Sequence, residues 1–508
     1  MLPESAERLR VISFCYILTN ILFNRDGQFR MLSSDQVKPL KSIPGLEPLP
    51  IIGALHHFIP GIGKIGSPEN FFAMTEKLHK LYGPIVKLEG IFQRATIIMF
   101  FEPEHFDQVF RAEDVLPLRP GFDTSVYYRT TLRKEVFDGV YGLTTAQGPD
   151  WRHFRTKVNP VFLKPKLVKL YEPALDEIAK QVVERLVRLT RDGTNLQNNF
   201  DVEMTKYSLE AVAYIGLGSR VGCLDDDVNE DHPGRVLMKC AKDVIDLSFK
   251  LEFAPHPWRY ISTPNFKKLM DTYDKQWDAK FIKEAQKKIN ERTEDVPEED
   301  KSIIEKLLAI DEKVAIMMAN EMLLAGIDTV AFATTSLLYD LATNQGIQDK
   351  LREEIRSGEP NRRYLKACLK ETLRLRPVVT ANLRRTSKEH TVGGYQIPAG
   401  VDVVAPNEYL SRQEKYYPRP TEFIPERWLA DKTDPLYYGN VHPMVTQPFG
   451  FGIRSCIGRR IAEMEIELFV QRLIRDCKVS WEGPPIQIVT RIVNTFKKPY
   501  YFQFEDIK

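Results

Sequence analysis

The sequence predicts a mainly α protein with a minor β portion, an α+β arrangement within one large domain. Three observations lead there: helical periodicity from about residue 107 onward, short β-like runs near both ends of the body, and no disordered linker or internal repeat dividing the 508 residues. Length alone would allow several domains, so organisation has to decide the count.

The N-terminal stretch, residues 1–42, reads as a leader. Its apolar run 11–23 (VISFCYILTNILF) is shorter than the roughly 20 residues that span a bilayer, and Thr19 and Asn20 interrupt it. Arg8, Arg10, Arg25 and Arg30 flank it as in an organellar transit segment, although Glu4, Glu7 and Asp26 depart from that pattern. A cleaved leader is the preferred reading and a short membrane anchor the rival. The proline-rich hinge Ile43-Pro-Gly-Leu-Glu-Pro-Leu-Pro50 then opens the body, residues 43–508.

Within the body, β-like runs at 85–89 and 96–100 precede amphipathic helices predicted over 167–189 and 265–289. Residues 316–342 are apolar enough to mislead: about 40 Å as a helix. They carry Asn320, Glu321, Asp328 and Asp340, which a lipid-facing helix tolerates badly, so a helix buried through a protein core is expected. Strand signals return at 391–405 and at 500–504, which builds the β portion from both ends of the chain.

Composition excludes several function classes. Lys and Arg total 71 against 69 Asp and Glu, a net charge of +2, so the chain is not dressed for nucleic acid and a charged partner must use a local patch. The six cysteines show no CxxC pair, which argues against a disulfide framework and a structural zinc site, and for a reducing compartment. Gly61-Ile-Gly63-Lys-Ile-Gly66 matches a dinucleotide fingerprint, but no βαβ alternation surrounds it, so it reads as a loop.

Chemistry concentrates in Pro448-Phe-Gly-Phe-Gly-Ile-Arg-Ser-Cys-Ile-Gly458. Each element has a task if Cys456 binds haem iron. Gly452 permits a tight turn, Gly458 lets the next helix approach the porphyrin, and Phe449 shields the sulfur. Turn amides temper its charge, and a helix predicted over 457–474 turns its positive end toward the thiolate.

This segment resembles the FxxGxRxCxG haem-binding signature of cytochrome P450, and other signatures of that family follow in order over residues 43–508. The resemblance implies the cytochrome P450 fold around a buried haem b (iron protoporphyrin IX), with Cys456 as metal ligand and a small apolar organic substrate oxidised by dioxygen. Ala325-Gly326-Ile327-Asp328-Thr329 is similar to the oxygen-activation motif: Asp328 and Thr329 would relay protons, and Gly326 would leave room for dioxygen. Glu371 and Arg374 match ExxR and would join Arg427 in a structural network. Trp151 and Arg155 (WxxxR), Arg384 and Arg454 would hold the haem propionates, with Arg385 a neighbour competing with Arg384.

Gly458-Arg459-Arg460, with Lys366 and Lys370 at i,i+4, resembles the mitochondrial branch of animal P450s. That likeness implies docking of an adrenodoxin-type [2Fe–2S] ferredoxin on Lys366, Lys370 and Arg460, electrons from NADPH, and the matrix side of the mitochondrial inner membrane; the endoplasmic reticulum membrane is the alternative. Residues 116–171, with RPGFDTSVYYR and WRHFRTKVNPVFLKPK, are most similar to arthropod members that act on xenobiotics or ecdysteroids. The aromatic stretch 249–261 resembles a loop in peripheral membrane contact, with Trp258 and Tyr260 at the interface, a core aromatic cluster being the rival reading. One departure stands out. Between the helix ending near Ser357 and the ExxR helix only Gly358-Glu-Pro-Asn-Arg-Arg363 remains, roughly ten or more residues short of the family's usual connection, on the donor-facing side. A donor-independent, peroxide-rearranging enzyme and an inactive haem-binding relative are the competing functions.

Overall fold

The computed structural model describes residues 37–49, 53–59, 63–89, 95–193, 196–253, 257–277, 297 and 301–507. Leader residues 1–36, residues 61–62 of the glycine decoy and 278–289 of the second amphipathic helix lie outside the described residues.

Among the described residues, pairing is already present ahead of the proline hinge: the Lys38 N–H donates to Gly394 O (2.9 Å) and the Lys38 carbonyl accepts from Gln396 N (2.8 Å). The main sheet is built from both ends of the chain. Strands β1 (Gly45–Leu46), β2 (Ile85–Leu88) and β3 (Ile97–Phe100) come from the N-terminal part, β4 (Asn382–Arg385) and β7 (Asp402–Ala405) from the C-terminal part, in the order β1-β2-β3-β7-β4. β3 and β7 pair in parallel with Ile98 opposite Val403, and β4 runs antiparallel to β7 with Arg384 opposite Val403. The strand signal at 391–405 resolves into three pieces. β5 (His390–Val392) and β6 (Tyr395–Ile397) form a hairpin across Gly393 and Gly394, both at positive φ, and β7 joins the main sheet. At the C-terminus β8 (Cys477–Trp481) pairs with β11 (Phe502–Asp506), and β9 (Ile488–Val489) with β10 (Thr495–Phe496).

The helices in chain order are α1 (Phe71–Tyr82), α2 (Pro103–Arg111), α3 (Gly148–Phe162), α4 (Glu172–Arg191), α5 (Leu196–Leu217), α6 (Pro233–Phe253), α7 (Pro264–Trp277), α8 (Glu312–Thr343), α9 (Gln345–Ser357), α10 (Arg363–Leu375) and α11 (Arg459–Asp476), with shorter turns between. The helix predicted over 167–189 is broken. Pro165–Lys169 makes one short turn and α4 restarts at Glu172 with Pro173 in its first turn, because proline lacks the N–H a continuing helix would need. α8 is the predicted long helix. Asp311 caps it, accepting from Val314 N at 3.1 Å, and Asn320, Glu321 and Asp340 are buried in protein, as a core helix requires. It runs through the helical core, while a second core gathers β1–β7 with α1 and α2.

Candidate active site

The loop before α11 is shaped by backbone conformation. Gly450 (φ +75) and Gly452 (φ +66) take left-handed turns that a Cβ would strain. The Cys456 N–H donates to Phe449 O (2.9 Å), and the Gly458 amide hydrogen-bonds the sulfur, countering the burial that pushes the thiol pKa up. The Arg459 guanidinium lies 5.1 Å from the Phe449 ring centroid. Cys223, Cys240, Cys368 and Cys477 are buried, whereas Cys456 keeps accessible surface although burial raises its pKa. Both hold together when the sulfur faces an internal space. Gly458 has an ordinary φ of −84°, and a Cβ there would meet nothing within 4 Å, so its need for glycine is not set by the protein's own backbone.

α8 shows the same signature at its middle. Ala325 is exposed although its neighbours Leu324 and Gly326 are partly buried and Leu323 and Ile327 are buried, and the half-buried Thr329, one turn on, shares its open face. Thr329 Oγ1 donates to Ala325 O at 2.6 Å. Asp328 Oδ2 has no hydrogen-bond partner, and burial, with Asp246 nearby, pushes its carboxyl pKa up to about 7 against the opposing pull of Lys242. Gly326 has a packing task as well: a Cβ there would lie 2.7 Å from Val212 Cγ2, so the glycine lets α8 pack tightly on α5.

Four arginines surround this region. Arg155 donates through Nη2 to Ser455 O (3.1 Å), beside the cysteine, while its Nε has no partner. Arg384 donates to Phe451 O (2.9 Å) and faces Glu113 at 2.5 Å. Arg385 points elsewhere, forked on Asp402 at 2.7 and 3.0 Å. Arg454 donates to Pro117 O (3.1 Å) and Gln147 Oε1 (2.8 Å) and lies over the Trp151 ring. Arg119, which the sequence reading missed, completes the set: Cys456, Arg384 and Arg155 all act on it electrostatically. No pattern flagged it, since a lone arginine between Pro117 and Pro120 looks like any loop cation.

Burial lowers the pKa of Arg119, Arg155 and Arg384, and drives that of Arg454 down to about 9 with help from the other three. Glu113, the carboxylate facing Arg384, is itself pushed up by burial, so desolvation outweighs that pair's attraction. A cationic cluster of this kind calls for further negative charge. Haem b fits the residues present: two propionates for the arginines, a sulfur donor for the iron, and the Ala325 face for the porphyrin surface.

A family model described as Cytochrome P450 matches residues 43–504. The chain belongs to the cytochrome P450 family. Among curated relatives it is 36% identical to cytochrome P450 CYP12A2 of Musca domestica, over 93% of this chain and 92% of that protein. It is 36% identical to a probable mitochondrial cytochrome P450 12a5 of Drosophila melanogaster, over 93% and 92%, and 35% identical to mitochondrial cytochrome P450 12b1 of Drosophila acanthoptera, over 90% and 88%. The protein is therefore a P450 monooxygenase, an oxidoreductase of a family that binds haem b through a cysteine thiolate and brings dioxygen to apolar substrates.

In this P450 the ExxR residues form a closed network. Glu371, Arg374 and Arg427 are all 0% exposed. Arg374 forks onto Glu371 at 2.9 and 2.8 Å and donates to the carbonyls of Ser411, Pro420 and Glu422. Glu371 also accepts from Arg427 Nε (3.1 Å), Trp428 Nε1 (3.0 Å) and Ile424 N (3.2 Å).

Lys366 and Lys370 are exposed on one face of α10, Lys370 Nζ lying 5.7 Å from the Trp428 ring centroid. Arg460 is exposed but donates back to Leu163 O. The short connection before α10 closes without stranding its backbone: Gly358 caps α9 at φ +74, and Glu354 accepts from Tyr364 N (2.6 Å) and Leu365 N (3.0 Å). Arg362 anchors it to Glu172 at 2.9 Å. Of the aromatic stretch, Trp258 is a correction. It is buried and stacked on Phe266 (5.3 Å, 9°), because an indole with a ring partner on α7 gains more from the core, whereas Tyr260 and Ile261 are exposed.

Proposed function

We propose that this P450 is a mitochondrial monooxygenase that inserts one oxygen atom into an apolar xenobiotic or steroid-like (ecdysteroid-like) substrate. Its electrons come from NADPH through a ferredoxin reductase and an adrenodoxin-type [2Fe–2S] ferredoxin. The observation that carries this reading is the joining of a cysteine open to the interior with four under-neutralised arginines. The mitochondrial names of the fly relatives and the exposed basic residues of α10 and α11 support the donor and the compartment.

Haem b, when bound, would supply the redox chemistry that activates dioxygen for oxygen insertion. The protein's own residues do the rest. Cys456 ligates the iron, with the Gly458 amide tempering the thiolate and Phe449 covering it. Arg119, Arg155, Arg384 and Arg454 would hold the propionates, with Trp151 backing Arg454. Ala325 presents an apolar methyl to the haem face. Asp328 holds a proton at its unpartnered Oδ2 near neutral pH, and Thr329 Oγ1 passes it inward by leaving the Ala325 carbonyl. Glu371, Arg374 and Arg427 brace the cysteine loop without touching substrate. Lys366, Lys370 and Arg460 attract the acidic ferredoxin. Tyr260 and Ile261 make the peripheral membrane contact, and residues 1–42 serve as the leader toward the matrix side of the inner membrane.

The test is a reduced, carbon-monoxide difference spectrum of the full-length protein, with and without Cys456→Ser, followed by NADPH oxidation with reductase and ferredoxin. A strongly red-shifted Soret band lost in the variant, with ferredoxin-dependent NADPH consumption, is expected. Turnover of a hydroperoxide with no donor, or haem binding with no NADPH consumption, would overturn the monooxygenase reading.

A further inference from the structure

Glu321 lies on α8 one turn before Ala325 and two before Thr329, so the three share a helix face. Its buried carboxylate accepts from Arg129 Nη1 (2.7 Å), Leu143 N (2.6 Å), Thr144 N (3.2 Å) and Thr144 Oγ1 (2.5 Å). Gly142, at φ +80, lets the backbone come this close: a Cβ there would lie 2.4 Å from Glu321 Oε1.

The same short segment also meets two of the arginines read as propionate holders. Leu143 O and Ala146 O accept from Arg454 (3.4 and 3.3 Å), and Gln147 Oε1 from Arg454 Nη2 (2.8 Å). Gln147 also clasps Arg119 on both backbone groups, accepting from its N (3.0 Å) and donating to its O (2.9 Å). Residues 142–147 are thus gripped by one helix carboxylate and themselves grip two of the cavity arginines. An ion pair needed only to neutralise Arg129 would require neither the two backbone amides nor the glycine.

We propose that Glu321 is a positioning residue: through segment 142–147 it fixes Arg119 and Arg454 relative to the Ala325–Thr329 turn. This rests on the reading of those arginines as propionate holders. Glutamine at 321 keeps one acceptor oxygen but would set its NH2 against a group that is already a donor, such as the Leu143 N–H, so the segment would lose part of its anchor while keeping its volume. Valine at 144 removes one donor and leaves the buried ion pair intact.

The experiment uses the full-length holoprotein and follows haem transfer to excess apomyoglobin, well below the melting temperature, for E321Q, T144V, R454K and the E321Q/R454K double variant. Amide exchange over 142–147 is read in parallel. E321Q is expected to lose haem about tenfold faster and T144V a few-fold faster, with accelerated exchange at Leu143 and Thr144. Because both changes act through one segment, E321Q adds little in the R454K background. In E321Q and T144V the carbon-monoxide spectrum stays that of the parent, since neither change touches the Cys456 loop. Haem loss at the parental rate in both E321Q and T144V, or fully additive effects of E321Q and R454K, would overturn the proposal whatever happens to the melting temperature. A parent without the red-shifted band would instead defeat the thiolate reading above, while the 321–454 coupling in haem loss still reports on positioning.

Discussion

The Arg454 guanidinium sits 3.9 Å from the centroid of the Trp151 ring, and this contact ties the cysteine loop to α3. Arg454 is two residues from Cys456, and its donors reach the Pro117, Leu143 and Ala146 carbonyls and Gln147 Oε1 together. A lysine carries the charge but not the planar fork, so R454K leaves several of these acceptors unmet. Haem content per purified protein is expected to fall in R454K. Trp151→Ala should cost about 3–5 kcal/mol of stability, with Trp151→Phe milder because a ring face remains. Urea midpoints and the Soret-to-protein absorbance ratio check both.

Glu371 offers the opposite case, a buried charge whose partners are all inside the protein. Removing it strands Arg374 and Arg427, and breaking such a buried network costs about 3–5 kcal/mol. E371Q should therefore yield little soluble, haem-loaded protein, and E371D should not rescue it, since a shorter carboxylate cannot reach Arg374, Arg427 and Trp428 at once. Soluble yield and haem content report the result.

The parts of the site legible in the sequence are those held by short local patterns. Cys456 in its glycine turn, Glu371 and Arg374 on one helix face, and Asp328 beside Thr329 each sit within a few residues of the groups that define them. Arg119, Glu113 and the Glu321–Arg129 pair were not legible, because their meaning comes from residues far away in the chain, as with the 192 positions separating Arg129 from Glu321. Gly326 shows the same limit: its place in a motif suggested space for a ligand, while the contact with Val212 on another helix was out of sight. Trp258 was ambiguous for a related reason: one aromatic stretch serves a membrane face or a core equally well until Phe266 is seen beneath it.

Glu465 is fully buried on α11, its Oε2 has no partner, and burial alone raises its pKa to about 8. The folded state therefore holds a proton that the unfolded chain releases near 4.5. Stability is greatest below that unfolded value, declines by about 1.4 kcal/mol per pH unit as pH rises toward 8, and is level beyond it. Glutamine is neutral throughout and lacks this slope. E465Q should match the parent in urea midpoint near pH 4 and exceed it at pH 8. A midpoint difference that does not change with pH would show that Glu465 is not the group responsible.

Asp328 carries the sharpest pH prediction because its two charged neighbours pull in opposite directions. Burial sets its pKa near 7, Asp246 raises it and Lys242 lowers it. If the protonated carboxyl feeds the relay, ferredoxin-supported turnover falls as pH rises through about 7, and D328N removes that limb while cutting turnover by ~10²–10⁴-fold. K242M takes away the stabilising cation, so the limb moves to higher pH. D246N takes away the repelling anion, so it moves lower. Asp246 is the stronger of the two neighbours, and its loss also frees Arg491, which it faces at 3.5 Å, so the D246N displacement should be the larger one. Measuring turnover against pH for the parent and the three variants decides the matter: limbs that move together, or not at all, would remove Asp328 from the proton path.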